Sequence, residues 1–173
     1  MPRPTPDRRR FIAGVAGLMG AWCFAPARAG TPAARAVILT VSGNRAHGAD
    51  KGLADFDLAR LQSLPTHSFS TRTPWYPQPR RFTGVLVSDL LEAAGVRGTS
   101  LSAAALNDYR VEIPVDDLTR NGAVIAYLLD DKPMAVRDKG PLVIIYPFDN
   151  QPELRDAIHY SRAVWQLRTL ELR

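Results

Sequence analysis

The chain has 173 residues, a length that fits one domain, and 46% of them are apolar. Its formal charge of +5 comes mostly from one end: residues 1–29 hold five of the 22 basic residues and one of the 17 acidic ones, so residues 30–173 carry 17 against 16. That near-neutral balance gives no support to a polyanion-binding surface of the kind nucleic acid needs. Cys23 is the sole cysteine, so residues 30–173 have no disulfide, no thiolate nucleophile and no thiolate metal ligand. These 144 residues must be held by core packing alone, and a domain of that size buries about two-thirds of its unfolded surface.

The start of the chain reads as an export leader. Arg8-Arg9-Arg10 precede an apolar run from Ala13 to Ala25, and Ala27-Arg28-Ala29 supplies a small-x-small cleavage site. The run is shorter than the roughly 20 residues a membrane helix needs. We expect a signal peptide over 1–29, twin-arginine-like in its Arg8-Arg9 pair, with an ordinary secretory signal or a membrane anchor as the alternatives. Cleavage implies a periplasmic protein with no stable anchor.

Residues 30–36 form a Thr/Pro/Ala/Arg lead. Val37–Val41 is β-branched and ends at Ser42-Gly43-Asn44, a strand then a turn, with 45–55 as loop. Apolar residues 58, 61 and 64 predict a short helix over 56–64, closed by Pro65. Residues 66–71 predict a strand, and Pro74, Pro77, Pro79 and Gly84 a long loop. Leu86, Val87, Leu90, Leu91 and Ala94 share one helical face, so 85–94 reads as a helix stopped by Gly95. Strands follow over 101–106 and 109–114, with Asn107-Asp108 bending the chain between them. Residues 116–119 suggest a helical turn. Val124–Leu129 is a strand, and Asp130-Asp131 turns it into Lys132-Pro133-Met134. Residues 137–141 form a polar loop, 142–146 a strand buried on both faces, 152–160 a short helix and 163–172 a closing strand. Many strands, few helices and no strict alternation of the two predict an α+β fold with a mixed sheet.

Several segments together resemble the oxidoreductase molybdopterin-binding domain of sulfite oxidase and nitrate reductase. They are Phe82–Leu91, Val111–Val115, Val124–Pro133, Arg137–Pro147 and the tail around Ser161, Val164 and Trp165. Each is weak alone; their order and spacing are specific. The resemblance implies that family's fold, a mixed, barrel-like sheet with a few short helices, over residues 30–173. In catalytic members a cysteine at the end of an early strand ligates molybdenum. The matching run here is Phe69-Ser70-Thr71-Arg72-Thr73-Pro74, with Thr71, or Ser70, at that place. A hydroxyl is too weak an acid to serve as a soft anionic ligand at neutral pH. We also expect no second, dimerising domain of the kind found in sulfite oxidases. The chain therefore resembles a shorter, exported, cysteine-free subgroup that binds pterins in the periplasm and regulates a membrane-bound cyclic di-GMP enzyme. The resemblance implies a pterin or molybdopterin-like ligand without molybdenum, and a non-catalytic role. An oxidoreductase that kept the metal without its protein ligand is the alternative, and an accessory domain with an empty pocket is a third reading.

A pterin needs an aromatic platform, an acceptor for its N–H edge and donors for its carbonyl oxygen. Three loops offer these. In the first, Trp75 presents a stacking face and Arg72 a donor beside Thr71; alternatively Trp75 packs its loop onto the core. In the second, Asn107-Asp108-Tyr109 places a carboxylate for a bidentate pair with the pterin edge, or makes an Asx-turn between two strands. In the third, Arg137, Asp138, Lys139 and Gly140 bring cations and close backbone approach, or form a solvated turn. Tyr146 lines the same pocket or belongs to the core. His47, His67 and His159 show no metal-ligand spacing.

Overall fold

The computed structural model describes residues 36–45 and 51–173. The expected leader, and residues 46–50 of the expected early loop, lie outside the described residues. Two sheets carry the fold. The first orders its strands β2 (Lys51–Phe56), β1 (Leu39–Arg45), β11 (Leu167–Leu172), β6 (Ser100–Ala105) and β7 (Arg110–Pro114), with the short β5 (Val96–Arg97) paired to β1. The second orders β10 (Val143–Ile145), β8 (Val124–Leu129), β4 (Tyr76–Leu86) and β3 (His67–Thr73), with β9 (Lys132–Pro133) on β8. The pair β1–β11 is parallel and its neighbours are antiparallel, so the first sheet is mixed. Among the described residues, four short helices, α1 (Leu58–Gln62), α2 (Val87–Ala94), α3 (Val115–Arg120) and α4 (Ala157–Arg162), complete the α+β architecture expected from the sequence.

The core follows the period of each strand. Leu39 and Val41 of β1 and Ala54 and Phe56 of β2 alternate inward. In contrast, every residue from Leu142 to Phe148 is buried, as the continuous apolar run predicts for a strand covered on both faces. On α2, Val87, Leu90 and Leu91 are buried, and Gly95 ends the helix at φ 65°, in the left-handed region.

Four expectations are corrected. Residues 51–56, read as loop, form β2: Gly52, Ala54 and Phe56 are buried and Lys51, Leu53 and Asp55 exposed, a period of two that the glycine and aspartates obscured. The proline-rich stretch 74–84 is strand β4 from Tyr76 on. Thr71 pairs with Arg80 and Thr73 with Tyr76, so Pro77-Gln78-Pro79 bulge opposite Arg72, where missing N–H groups cost no ladder bond. Pairing of β4 with β8 begins only at Phe82. The helix expected over 152–160 is split into a 3₁₀ turn, Pro152–Leu154, and α4, because the Asp156 side chain accepts from His159 N at 2.7 Å and caps a new start. The closing strand begins at Leu167; Gln166 turns the chain at φ 54° before it.

The β8–β9 turn is built from Asp130 (φ 48°) and Asp131 (φ 61°), the paired positive φ of a tight hairpin. Asp130 accepts from Arg81 N at 2.9 Å and pairs with Arg80, and the Arg81 backbone bond, ahead of Arg80, holds its carboxyl below the usual carboxylate value. Because the folded state prefers the ionised form, its stabilising effect is full above the unfolded value near ~3.9 and is lost as pH falls through the lower folded one. Denaturant titrations of Asp130→Asn should therefore differ most from the parent at neutral pH, and the gap should close on acidification below about pH 4. A gap that widens with acid would contradict this.

Candidate functional site

The site is assembled where the end of β3 meets the chain leaving β10. Thr71 faces inward and is fully buried. Its Oγ1 accepts from Asp149 N at 3.1 Å and donates to Arg72 O at 3.4 Å. Arg72 N donates to Asp149 Oδ2 at 3.0 Å, and Arg155 pairs with the same carboxylate. These bonds pin the β3–β4 turn, and the turn presents Trp75. The Trp75 ring meets Trp165 edge-on at 5.2 Å and Tyr160 edge-on at 6.0 Å. Tyr76 meets Trp165 at 6.0 Å from the side, with the Arg80 guanidinium 4.6 Å over its own ring. Burial raises the Tyr76 phenol above its ordinary value, against the pull of Arg80.

The second loop closes one side. Asn107 Oδ1 accepts from Tyr109 N at 3.2 Å, the Asx-turn that its sequence allows, and Asp108 follows at φ 65°. Tyr109 OH donates to Ser161 O at 2.7 Å, tying this turn to α4. Asn107, Tyr109 and Trp75, with Tyr160, Ser161, Ala163 and Trp165, line a pocket of about 210 Å³.

The third loop borders it. Val136–Asp138 make a 3₁₀ turn, Lys139 sits at φ 72°, and Gly140 is pressed so close to Met134 O that an added Cβ would lie 2.1 Å away. Lys139 O accepts from Gln166 N at 3.0 Å, and Lys139 Nζ lies 5.5 Å from the Trp165 ring centre.

The expected site residues thus divide. Trp75, Asn107 and Tyr109 share one pocket. Lys139 reaches its edge through Trp165. Thr71 and Arg72 anchor the turn but direct their bonds to Arg72 O and Asp149. Arg137, Asp138 and Gly140 stand on the adjoining loop, Arg137 paired with its neighbour Asp138 at 3.5 Å. Asp108 is exposed at the turn apex and does not line the pocket. Tyr146 belongs to the core: it is fully buried and donates to Asp117 Oδ2 at 2.8 Å. Burial first, and then the Asp117 carboxylate, push its phenol far above the ordinary value, so it stays a neutral donor.

Sequence reasoning missed most of the far wall. Tyr160 falls in the helix expected over 152–160, and Ser161 and Trp165 stand out in the sequence only as part of the family-like tail. Asp117, His159 and Arg162 join across α3 and α4 into a polar network, although 42 residues separate Asp117 from His159. The one local cue is the three-residue spacing of His159 and Arg162, which puts them on a common helix side.

The geometry suits a flat heterocycle. The pocket is smaller than the ~300–1,000 Å³ typical of drug-sized ligands, and its largest faces are aromatic. Two buried polar atoms in this aromatic region, Trp165 Nε1 and Thr73 Oγ1, have no hydrogen-bond partner among the described residues. An unmet indole N–H is a donor waiting for an acceptor. A larger groove of about 630 Å³ lies elsewhere, lined by Leu91, Val96, Val115 and Leu172 among others, and offers no aromatic face.

Residues 39–148 match the family model of the oxidoreductase molybdopterin binding domain, and the chain belongs to that family. Its fold is shared with a solved structure, the sulfane dehydrogenase SoxCD from Paracoccus pantotrophus, at 16% identity and a TM-score of 0.57. The match covers 77% of this chain and 37% of that one. No curated protein matches the chain. The family match stops before α4 and Trp165, so one wall of the pocket comes from outside it.

Thr71→Val removes the acceptor of Asp149 N and should lower the unfolding free energy by about 1–3 kcal/mol in urea titration, with Thr71→Ser costing less. A Thr71→Val variant as stable as the parent would show that the hydroxyl contributes nothing.

Proposed function

We propose that this chain is a pterin-binding member of the family that takes the organic ring without molybdenum and works by binding, not by catalysis. The observation that carries the reading is the end of β3. The residue there is a buried threonine whose hydroxyl is already committed to Asp149 N, in a sequence whose residues 30–173 contain no cysteine. Molybdenum in this fold is a soft centre that calls for thiolate, and a threonine hydroxyl is a poor replacement.

Each part of the pocket has work to do on a flat ring. Trp75 and Trp165 supply aromatic surface, and Tyr109 and Asn107 supply polar edges. The Lys139 cation, above Trp165, favours a ligand with an electron-rich carbonyl edge. When a pterin is bound, the group contributes only its shape and hydrogen-bonding edge.

In this reading the protein acts in the periplasm and the bound ring changes what it shows to a membrane partner that makes or degrades cyclic di-GMP. The Arg8-Arg9 leader and the family resemblance support export and that partner. The Trp75 turn is the element placed to respond, since a ligand shifts a conformational equilibrium only by binding one state better. A second reading, an oxidoreductase that retains molybdenum without a protein sulfur ligand, draws support from the family to which the chain belongs.

Calorimetry with oxidised and reduced pterins on the purified protein tests the proposal. Saturable one-to-one binding is expected, and Trp75→Ala should weaken it by roughly tenfold or more, the scale of losing one stacking face. Absence of binding to every pterin, or a Trp75→Ala variant identical to the parent, would overturn it.

A further inference from the structure

We infer that Asp117 is the positioning residue of the aromatic pocket, acting through α4 and touching no ligand itself. The inference rests on the reading that this pocket holds a pterin.

Helix α4 is six residues long and has no buried residue. A helix that short has little stability of its own and takes its place from what it packs against. Its pocket side carries Tyr160 and Ser161. Its other side carries His159 and Arg162, and both grip one carboxylate on α3. Asp117 Oδ1 receives His159 Nε2 at 3.1 Å and Asn121 Nδ2 at 3.1 Å. Asp117 Oδ2 receives Tyr146 OH at 2.8 Å and lies 3.0 Å from Arg162 Nη1 in an ion pair. Three hydrogen-bonding groups and one cation thus converge on that carboxylate. The side chains of Asp117, His159 and Arg162 are 15%, 15% and 19% exposed, so water competes weakly for these bonds. His159 is fixed a second time, with Nδ1 3.0 Å from Asp156 Oδ1 at the start of the same helix.

The anchor point is itself rigid. Leu118, beside Asp117, is fully buried, and Tyr146 follows the buried strand β10. Tyr160 packs one side of α4 against the buried Phe148 ring at 4.9 Å, and Asp117 ties the other side to the core through His159 and Arg162. The pocket depends on these ties, because Tyr160 must stay 6.0 Å from Trp75, and Ser161 O must stay in reach of Tyr109 OH. Replacing the charged carboxylate weakens the bonds to His159 and Arg162 together, and α4 loses its register against Trp75 and Tyr109.

The test pairs two readouts on the full protein carrying Asp117→Asn, with Asp116→Asn as the control. Asp116 is the exposed neighbour on the same helix and pairs with Arg120. Amide hydrogen exchange reads residues 157–163 directly, without any ligand, and titration with neopterin reads the pocket. Asp117→Asn should speed exchange of the Tyr160 and Ala163 amides by about tenfold while core amides of β8 and β10 hold, change the near-ultraviolet dichroism of the Trp75–Trp165 pair, and weaken neopterin by about tenfold. Asp116→Asn should change none of these. Unchanged α4 exchange in Asp117→Asn overturns the inference whether or not neopterin binds. Faster exchange with unchanged affinity also overturns it, since the helix would then move without consequence for the pocket. If the parent fails to bind neopterin, the pterin reading fails while the exchange and dichroism arms still decide whether Asp117 positions the helix. Should Asp117→Asn fail to fold, Arg162→Gln, which removes one partially exposed partner, carries the same expectations at smaller size.

Discussion

The hydrogen bond from Asp149 N to Thr71 Oγ1 joins the end of β3 to the chain leaving β10, in a fully buried position. With the neighbouring bond from Arg72 N to Asp149, it fixes where β3 stops and the turn toward β4 begins. Everything distinctive about the pocket lies a few residues beyond. The turn carries Trp75 onto Trp165 and Tyr160, and the bulge at Pro77-Gln78-Pro79 lets β4 resume pairing at Arg80. The Thr71 hydroxyl commits a lone pair to the backbone, so this one side chain serves as a structural tie at the end of β3.

The pocket walls differ in how they are held. Trp75 and Trp165 rest on strands and on the core ring of Phe82, 6.4 Å from Trp165, so this side is stabilised by apolar burial. The opposite side, α4, is tied by a charged network. The α4 wall thus combines one apolar contact, Tyr160 on Phe148, with polar ties centred on the Asp117 carboxylate. Partly buried ionic networks of this kind contribute more to geometry than to net stability, because desolvation offsets much of their attraction.

Strands with an uninterrupted apolar pattern, alternating in β7 and continuous in β8 and β10, could be read from the sequence almost to the residue, and so could the Gly95 stop and the Asp130-Asp131 turn. β2 was obscured because its exposed face contains Leu53 and its buried face Gly52, which reverses the usual pattern. β4 was obscured because prolines argue for loops, and only the register of β3 against β4 reveals that Pro77 and Pro79 sit in a bulge. Of the site, Trp75 was legible as an aromatic residue on a loop, and Asn107 and Tyr109 as parts of the turn between two strands. Asp117 was not: it looks like any acid on a short surface helix until α4, some 40 residues on, folds over it. Asp108 drew attention as a carboxylate in a turn, but the left-handed backbone that makes it a good turn residue also turns it to solvent.

Sulfur and metal are the crux, and one preparation can answer for both. Protein purified from molybdate-supplied cells should be denatured and its molybdenum and released pterin counted against protein in the same sample. The account predicts pterin approaching one equivalent with molybdenum far below it. One molybdenum per chain, together with turnover of a sulfur or oxyanion substrate, would contradict it.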